Sequence, residues 1–199
     1  MKNKFHSFAA LSILVAVTAV LQTLSAMFPL KIAGLSISLV MIPITVAAVF
    51  YGYEGGALIG GTFGATVLIH CIMGLDPAGA MLFSLKPFYT AVLTVLRGVL
   101  AGALTALVYN LVKKIKNAFV KYLITGLSAA VFNTGIFLSG YALFFNDMLV
   151  AAANESGYAD NVIGFVIVGM VGVNFLFEAL TTALLAPPVC KALEKVQNK

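Results

Sequence analysis

The sequence has very little charge for its length. Of its 199 residues, 10% are charged and 61% are hydrophobic. Soluble domains average roughly 25% charged residues, so this chain lacks the polar side chains that would cover the surface of a soluble fold. The composition therefore excludes a secreted, cytosolic or disordered protein, and it predicts an integral membrane protein.

The sequence also lacks the patterns that carry enzyme chemistry. It has no catalytic triad, no HExxH motif and no paired acidic residues, and Cys71 and Cys190 belong to no metal-ligand spacing. Residues 55–62 resemble a phosphate-binding P-loop, but Gly61 stands where that loop needs its lysine. We therefore expect no catalysis by this chain, no bound metal or cofactor, and no ATP hydrolysis of its own.

What the sequence does have is six long apolar segments. They are residues 8–28, 37–52, 55–73, 88–112, 118–145 and 162–188. The first would form a helix about 32 Å long, which is enough to cross about 30 Å of hydrocarbon. Glycines and a charge at 52–56 predict a tight turn that makes the second and third segments an antiparallel helix pair. We expect an all-α membrane protein of six transmembrane helices, forming a single domain over residues 1–199.

The distribution of basic residues orients these segments. With the N-terminus inside, nine lysines lie in cytoplasmic segments, whereas only Lys31 and Lys86 lie outside. Because basic residues concentrate on the cytoplasmic side of membranes, both termini are predicted to be cytoplasmic. This topology explains the net charge of +5 without a nucleic-acid partner. The first segment is longer than the apolar part of a signal peptide, so we expect a retained helix.

Polar residues inside the predicted spans indicate a binding site. They are Gln22, His70, Arg97, Asn133, Asn174 and Glu178. An ionised side chain in hydrocarbon costs several kcal/mol, so such residues usually face an interior or an aqueous cavity. Lys86 begins the fourth span, and aromatic residues lie at similar depth. They are Phe83, Phe88, Tyr89, Phe137 and Tyr141. This set predicts a cavity that opens to the outside and accepts a small organic anion.

Arg97 is the most informative of these residues, and it has two interpretations. Its guanidinium group matches a carboxylate with two parallel hydrogen bonds, which favours recognition of an anionic substrate. The alternative is a structural ion pair with Glu178, which lies somewhat deeper in the predicted membrane. For the remaining polar residues the alternatives are helix–helix hydrogen bonds and, for Lys86, extension of the side chain to lipid headgroups.

Small residues at helical spacing predict close contacts between helices. Ser12 and Ala16 form one such pair in the first span. Two glycine series recur every four residues, namely Gly56, Gly60 and Gly64, and Gly98 and Gly102. Small faces let helix backbones approach closely in lipid. They serve either packing inside the bundle or an interface that moves.

Three stretches of the sequence resemble a known family. Residues 36–52, followed by Gly55-Gly56-Ala57 and Gly60, are similar to the second span of the substrate-binding S components of energy-coupling-factor (ECF) vitamin transporters. Residues 95–102 resemble the Pro-Arg-Ile-Leu-Val-Gly pattern of the subgroup that includes pantothenate S components, with Leu96 in place of the proline. Residues 174–179 resemble the Asn-x-x-x-Glu pattern in the sixth helix of that subgroup.

The resemblance implies a function and a set of partners. It implies a vitamin-binding S component in the bacterial cell membrane. This component would capture a small anionic vitamin from outside, and pantothenate is the best candidate. The chain would then dock on a membrane coupling subunit that two ATPase subunits drive. Ser12 and Ala16 match the AxxxA-type motif that meets the coupling subunit in this family, and Gly56 and Gly60 are expected to form the same sliding contact.

The expected site and its alternatives follow from both arguments. The residues expected to contact the vitamin are Gln22, His70, Lys86, Arg97, Asn133, Asn174 and Glu178. Folate, niacin, riboflavin and a queuosine precursor remain possible substrates. A stand-alone channel or facilitator is a different class of function, and a membrane enzyme or scaffold is a third. The vitamin and the conformation of the loops over the site stay open at this point.

Overall fold

The computed structural model describes residues 2–27, 31–32, 35–36, 39–158 and 161–197, and it describes side chains for 8–27, 39–158, 161–169 and 175–196. The described chain is almost entirely helical. The helices are α1 (Lys2–Met27), α2 (Met41–Met73), α3 (Pro77–Leu85), α4 (Pro87–Val112), α5 (Ala118–Phe144), α6 (Asn146–Glu155), α7 (Val162–Phe165) and α8 (Gly172–Gln197). A π-helical segment, Val166–Val171, joins α7 to α8. Two short strands, β1 (Lys31–Ile32) and β2 (Leu35–Ser36), pair antiparallel between α1 and α2.

Five helices are long and apolar enough to cross a membrane. They contain the segments Phe8–Met27, Met41–Met73, Pro87–Val112, Ala118–Phe144 and Phe175–Val196. The predicted spans 8–28, 88–112 and 118–145 agree with these segments to within a few residues. The predicted span 162–188 differs more, because the apolar segment among the described residues is Phe175–Val196. The main difference is that the predicted spans 37–52 and 55–73 fall within one helical assignment, α2. Residues 37 and 38 lie outside the described residues.

The backbone of α2 reverses direction at Gly52. This residue has φ 64° and ψ −149°, a conformation that only glycine adopts at low cost. A Cβ atom built on Gly56 would lie 3.5 Å from Ala48 Cα. Residues eight apart in a continuous α-helix are separated by about 12 Å, so the two parts of α2 must lie side by side. The structure thus contains the predicted turn, and residues 41–51 and 53–73 form two arms of α2.

Contacts between helix termini define two ends of the bundle. At one end, Thr23 near the end of α1 is hydrogen-bonded to His70 near the end of α2. At the opposite end, Lys121 near the start of α5 forms an ion pair of 3.7 Å with Glu194 near the end of α8. We call these the His70 end and the Gly52 end, since the Gly52 turn packs in the same apolar cluster as the start of α5 and the end of α8.

The glycine series of α2 packs directly on α4. A Cβ atom on Gly60 would overlap the carbonyl of Gly98, and one on Gly56 would overlap the carbonyl of Gly102. The two backbones are therefore in van der Waals contact, as small faces allow in lipid. Gly56 and Gly60 are buried within this interface. In this conformation α4 occupies the surface of these two glycines, and their expected contact with a partner stays a prediction.

A buried apolar cluster fills the centre of the bundle beneath the polar residues. Its members come from both arms of α2 and from α5, and they are Val40, Met41, Ile44, Ala47, Ile59, Phe63, Val67, Cys71 and Ala129. The first arm begins within this cluster, because Met41 and the preceding Val40 are fully buried. Lipid tails are as apolar as these side chains, so the cluster holds the helices together by van der Waals packing.

The two longer connections at the His70 end contain short helices that the sequence analysis treats as loops. Pro77 begins α3, and the Asp76 carboxylate accepts a hydrogen bond of 3.2 Å from the Gly79 amide. This arrangement is a typical helix N-cap. In α6, Leu149 and Ala153 are buried on one face. Neither helix is long enough to cross a membrane, which is why hydropathy alone misses them.

Candidate functional site

Arg97 is the only arginine of the chain, and it lies half-buried between three helices. It lies ten residues after the start of α4, or about 15 Å along the helix. Its guanidinium carbon is 5.2 Å from the ring centre of Phe63 on α2 and 5.0 Å from that of Phe137 on α5. Both distances are typical of cation–π contacts, which strengthen when the cation is desolvated.

The donors of Arg97 are not used by the protein residues that the structure describes. Its Nε atom is buried without a hydrogen-bond partner. Arg97 and Glu178 both lie among the described side chains, and the two form no direct ion pair. Within the described ranges the one ion pair is that of Lys121 and Glu194. A structural Arg97–Glu178 ion pair, the alternative interpretation, is therefore not formed.

Asn133 presents a second unused polar atom close to this position. It is 7% exposed and lies on α5 one turn before Phe137, on the same helix face. Its Oδ1 atom is buried without a hydrogen-bond donor from the described part of the chain. One turn further towards the Gly52 end, Ala129 belongs to the apolar cluster. Asn133 thus lies at the boundary between the apolar cluster and the polar residues.

His70 carries the third buried polar atom without a partner, and it lies closer than Phe63 to the end of α2. It is 3% exposed, and its Nε2 atom is 3.2 Å from the Thr23 hydroxyl on α1. Its Nδ1 atom is buried without a partner among the described residues. His70 follows Phe63 by two helical turns on the same face of α2, about 10 Å along the axis. Phe63 and His70 therefore both point into the bundle.

The three unpaired atoms, on His70, Arg97 and Asn133, indicate the same kind of ligand. Buried polar atoms in native proteins nearly always have a hydrogen-bond partner, and leaving one unpaired costs about 1–3 kcal/mol. In the described chain, three side chains carry such atoms, and all three belong to residues that the sequence analysis selects: His70, Arg97 and Asn133. Their chemistry is complementary to a ligand that has an anionic group and hydrogen-bond donors of its own.

Lys86 contacts the end of α5. Its ammonium group donates a hydrogen bond of 2.9 Å to the Phe144 carbonyl at the end of α5, and it lies 5.7 Å from the ring centre of Phe145. A lysine at this position satisfies a terminal carbonyl and complements the helix dipole. Lys86 therefore joins the start of α4 to the end of α5, and its contact with a ligand stays a prediction.

The remaining predicted residues lie on the two flanking helices. Gln22 is half-buried on α1, next to the Thr23 that contacts His70. Glu178 is half-buried on α8. Asn174 lies in α8 one turn before Glu178, and its side chain is outside the described residues. The structure shows no hydrogen bond of Gln22 with His70 or Arg97 among the described residues.

Two further residues of this region, Phe63 and Thr23, are not among those predicted from the sequence. Phe63 contacts Arg97, and Thr23 contacts His70. Phe63 lies seven residues before His70, so helical periodicity already places both on one face of α2.

A groove of about 180 Å³ lies beside Arg97, between α4 and α5. Its walls are mostly apolar, with Leu93, Leu96 and Ile136 among the lining residues. Arg97 is the charged residue of that lining.

Comparison with known proteins identifies the family. A family model described as ECF transporter, substrate-specific component, matches residues 7–190. The chain belongs to this family. Searches of curated proteins and of solved structures gave no match. This ECF substrate-specific component is thus a multi-pass membrane protein of an ECF importer. Members of the family bind small-molecule substrates for a membrane ECF module and are not enzymes.

The expected partner face of this substrate-specific component lies on α1. Ser12 and Ala16 are both exposed, one turn apart on that helix. The Ser12 hydroxyl donates a hydrogen bond of 3.0 Å to the Phe8 carbonyl, so serine acts here as a small residue with a satisfied polar group. Large apolar side chains beside them, including Ile13 and Val17, are exposed as well. This helix face is therefore free of contacts within the described chain.

Proposed function

We propose that this ECF substrate-specific component captures a small anionic vitamin, with pantothenate the best candidate, from outside the cell. Arg97 supports this proposal most strongly, because its Nε atom is buried near the middle of α4 and its side chain donates to no described protein acceptor. A carboxylate would bind it with two charge-assisted hydrogen bonds. Such bonds are also the means by which the site would reject neutral compounds of similar shape.

Pantothenate supplies the groups that the three unpaired atoms require. Its carboxylate complements Arg97. Its two hydroxyls and its amide N–H are donors for Asn133 Oδ1, and its hydroxyls also suit His70 Nδ1 in either tautomer. We assign Gln22, Asn174 and Glu178 to the rest of the lining. The resemblance of residues 95–102 to the pantothenate subgroup points to the same vitamin, whereas folate, niacin, riboflavin and a queuosine precursor are the alternatives that a competition experiment separates.

We further propose six membrane crossings with both termini in the cytoplasm of a bacterial cell. The reversal at Gly52 divides α2 into two antiparallel arms, which makes room for a further crossing. The arm 41–51 rises only about 16 Å, so the proposed sixth crossing would include the chain before Met41. The lysines at 113, 114, 116, 121, 191 and 195 all lie in or next to the helix termini of the Gly52 end. Basic residues favour the cytoplasmic side, so the Gly52 end is inside and the His70 end is outside.

We propose that delivery of the vitamin uses the exposed face of α1. Ser12 and Ala16 would pack against a membrane coupling subunit, which two ATPase subunits drive. Small residues one turn apart allow a partner helix to approach closely in lipid. The chain itself would bind no nucleotide and no cofactor.

Equilibrium binding of radiolabelled pantothenate to the purified chain in detergent tests this proposal. We expect saturable binding without ATP or partner subunits, and we expect unlabelled pantothenate to compete better than the four alternative vitamins. Preferential competition by another vitamin would reassign the substrate. Absence of binding by any vitamin in the panel, in a sample that remains folded, would contradict a solute-capture function.

A further inference from the structure

The neighbours of Arg97 differ from those of most buried cations. A buried cation is ordinarily paired with a carboxylate, which neutralises its charge and accepts its hydrogen bonds. Arg97 instead lies over the rings of Phe63 and Phe137, with its guanidinium carbon 5.2 Å and 5.0 Å from the ring centres. The aromatic faces come from α2 and α5, and Arg97 comes from α4 between them.

Aromatic faces and carboxylates have different effects on a guanidinium group. The ring quadrupole attracts the cation through its electron-rich face, but it carries no net charge and does not neutralise the cation. A carboxylate on the protein would occupy the same N–H donors that a ligand carboxylate needs. Two phenylalanines thus hold Arg97 in place while its charge and its donors remain available to a ligand.

Both rings are themselves held firmly by their surroundings. Phe63 is 5% exposed and belongs to the central apolar cluster. Phe137 packs on Tyr141 with ring centres 5.8 Å apart, and Tyr141 stacks on Phe145 at 5.6 Å. Residues 137, 141 and 145 follow one another at every fourth position, so these rings form a column along α5. The column runs from Arg97 to Lys86, whose ammonium group lies over Phe145.

We propose that Phe63 and Phe137 are specificity-determining residues of the vitamin site. They position the Arg97 guanidinium group and keep its charge uncompensated, and the site thereby selects a carboxylate over a neutral analogue. The inference rests on the proposed function, since it concerns the same site. It adds that carboxylate selectivity depends on two apolar side chains as well as on Arg97.

The selectivity test compares pantothenate with panthenol, its neutral alcohol analogue. The wild-type chain is expected to bind pantothenate more tightly. Phe63→Leu and Phe137→Leu remove the ring faces, and each is expected to reduce pantothenate affinity about tenfold while panthenol affinity changes little. Phe137→Tyr retains the ring and is expected to preserve the selectivity. Phe119→Leu, a half-exposed position on the same helix, is the matched control.

The outcomes separate a role in specificity from a role in folding. Equal losses of affinity for pantothenate and panthenol in the leucine variants would show that the rings only maintain the structure, and would overturn the inference. Unchanged selectivity in both variants would overturn it as well. Each variant is first checked for a monodisperse elution profile, so that an unfolded sample is not counted as a loss of binding.

A second measurement does not depend on the identity of the vitamin. Because Arg97 is the only arginine, protein labelled with ¹⁵N-arginine gives a single Nε–H resonance. This resonance is expected to shift in Phe63→Leu and Phe137→Leu, and to respond to acetate but not to acetamide in the wild type. No response to acetate, or an equal response in the leucine variants, would overturn the inference. A response to acetate without one to pantothenate would instead reject the proposed vitamin.

Discussion

The Thr23 hydroxyl and the His70 Nε2 atom are 3.2 Å apart, and their hydrogen bond joins α1 to α2 at the His70 end. Elsewhere one face of α1 exposes large apolar side chains, and the other packs on the central apolar cluster through Leu11, Leu14, Val15 and Leu21. The second ring nitrogen of His70 is one of the three unpaired polar atoms of the site. Thr23 therefore contacts His70, a proposed ligand-binding residue, and it lies on the helix that carries the proposed partner face.

Thr23→Val should weaken vitamin binding moderately. Valine keeps the shape of the side chain but cannot hydrogen-bond to His70. A hydrogen bond of this kind contributes about 0.5–1.5 kcal/mol, which corresponds to a loss of affinity of about two- to tenfold. Equilibrium binding of pantothenate measures the effect, with Thr62→Val as a control because the Thr62 hydroxyl bonds only within its own helix. An affinity equal to that of the wild type would show that this contact does not orient His70.

Gly60→Ala should destabilise the bundle. The added Cβ atom would overlap the Gly98 carbonyl, and backbone cannot move aside as a flexible side chain can. Overpacking of this kind costs about 1–3 kcal/mol. Thermal unfolding of the purified chain measures the change, and Gly135→Ala is the control because no atom lies within 4 Å of its Cβ position. Equal melting temperatures for the two variants would contradict the close contact of α2 with α4.

Much of this fold is predictable from the sequence, because hydropathy and turn residues act locally. The glycines at 52–56 predict the reversal, and the apolar segments predict the long helices. The pairing of helix faces is not predictable in the same way. The series of Gly56 and Gly60 fits a partner surface and an internal contact equally well, and only the position of α4 decides between them.

The candidate site, too, can be predicted only in part from the sequence. His70, Arg97 and Asn133 stand out in the sequence because they are polar residues inside apolar spans. A polar side chain that faces lipid is energetically unfavourable, so such residues usually face an interior or a cavity. The contacts of Arg97 with Phe63 and Phe137 depend on how three helices rotate about their axes, which single-sequence periodicity leaves undetermined. The same uncertainty explains why Glu178 was a plausible ion-pair partner for Arg97 although no such pair forms.

The proposed topology predicts which residues are accessible from each side. Glu54 beside the Gly52 turn and Asn154 in α6 are both exposed. In a variant with Cys71 and Cys190 replaced by alanine, Glu54→Cys should react with a membrane-impermeant maleimide only after the cells are opened. Asn154→Cys should react in intact cells. Labelling of Glu54→Cys in intact cells would contradict the cytoplasmic position of the turn.

Replacement of the small residues on α1 should separate binding from transport. Ser12→Leu and Ala16→Leu place bulk where a coupling subunit would approach, but they touch no residue of the site. We expect uptake of labelled pantothenate by cells to fall about tenfold or more, with unchanged binding by the purified chain. Val20→Leu, also exposed on α1, is the control. Normal uptake by both variants would show that this face does not dock.

The role of Arg97 in recognising the carboxylate is the central claim, and Arg97→Gln tests it most directly. Glutamine is polar and smaller, and it removes the charge and the paired donors. Removal of one partner from a buried, hydrogen-bonded charge pair costs about 2–5 kcal/mol, so the dissociation constant for pantothenate should rise about 30-fold or more. Panthenol affinity should change far less. A folded Arg97→Gln protein that binds pantothenate as tightly as the wild type would contradict the account.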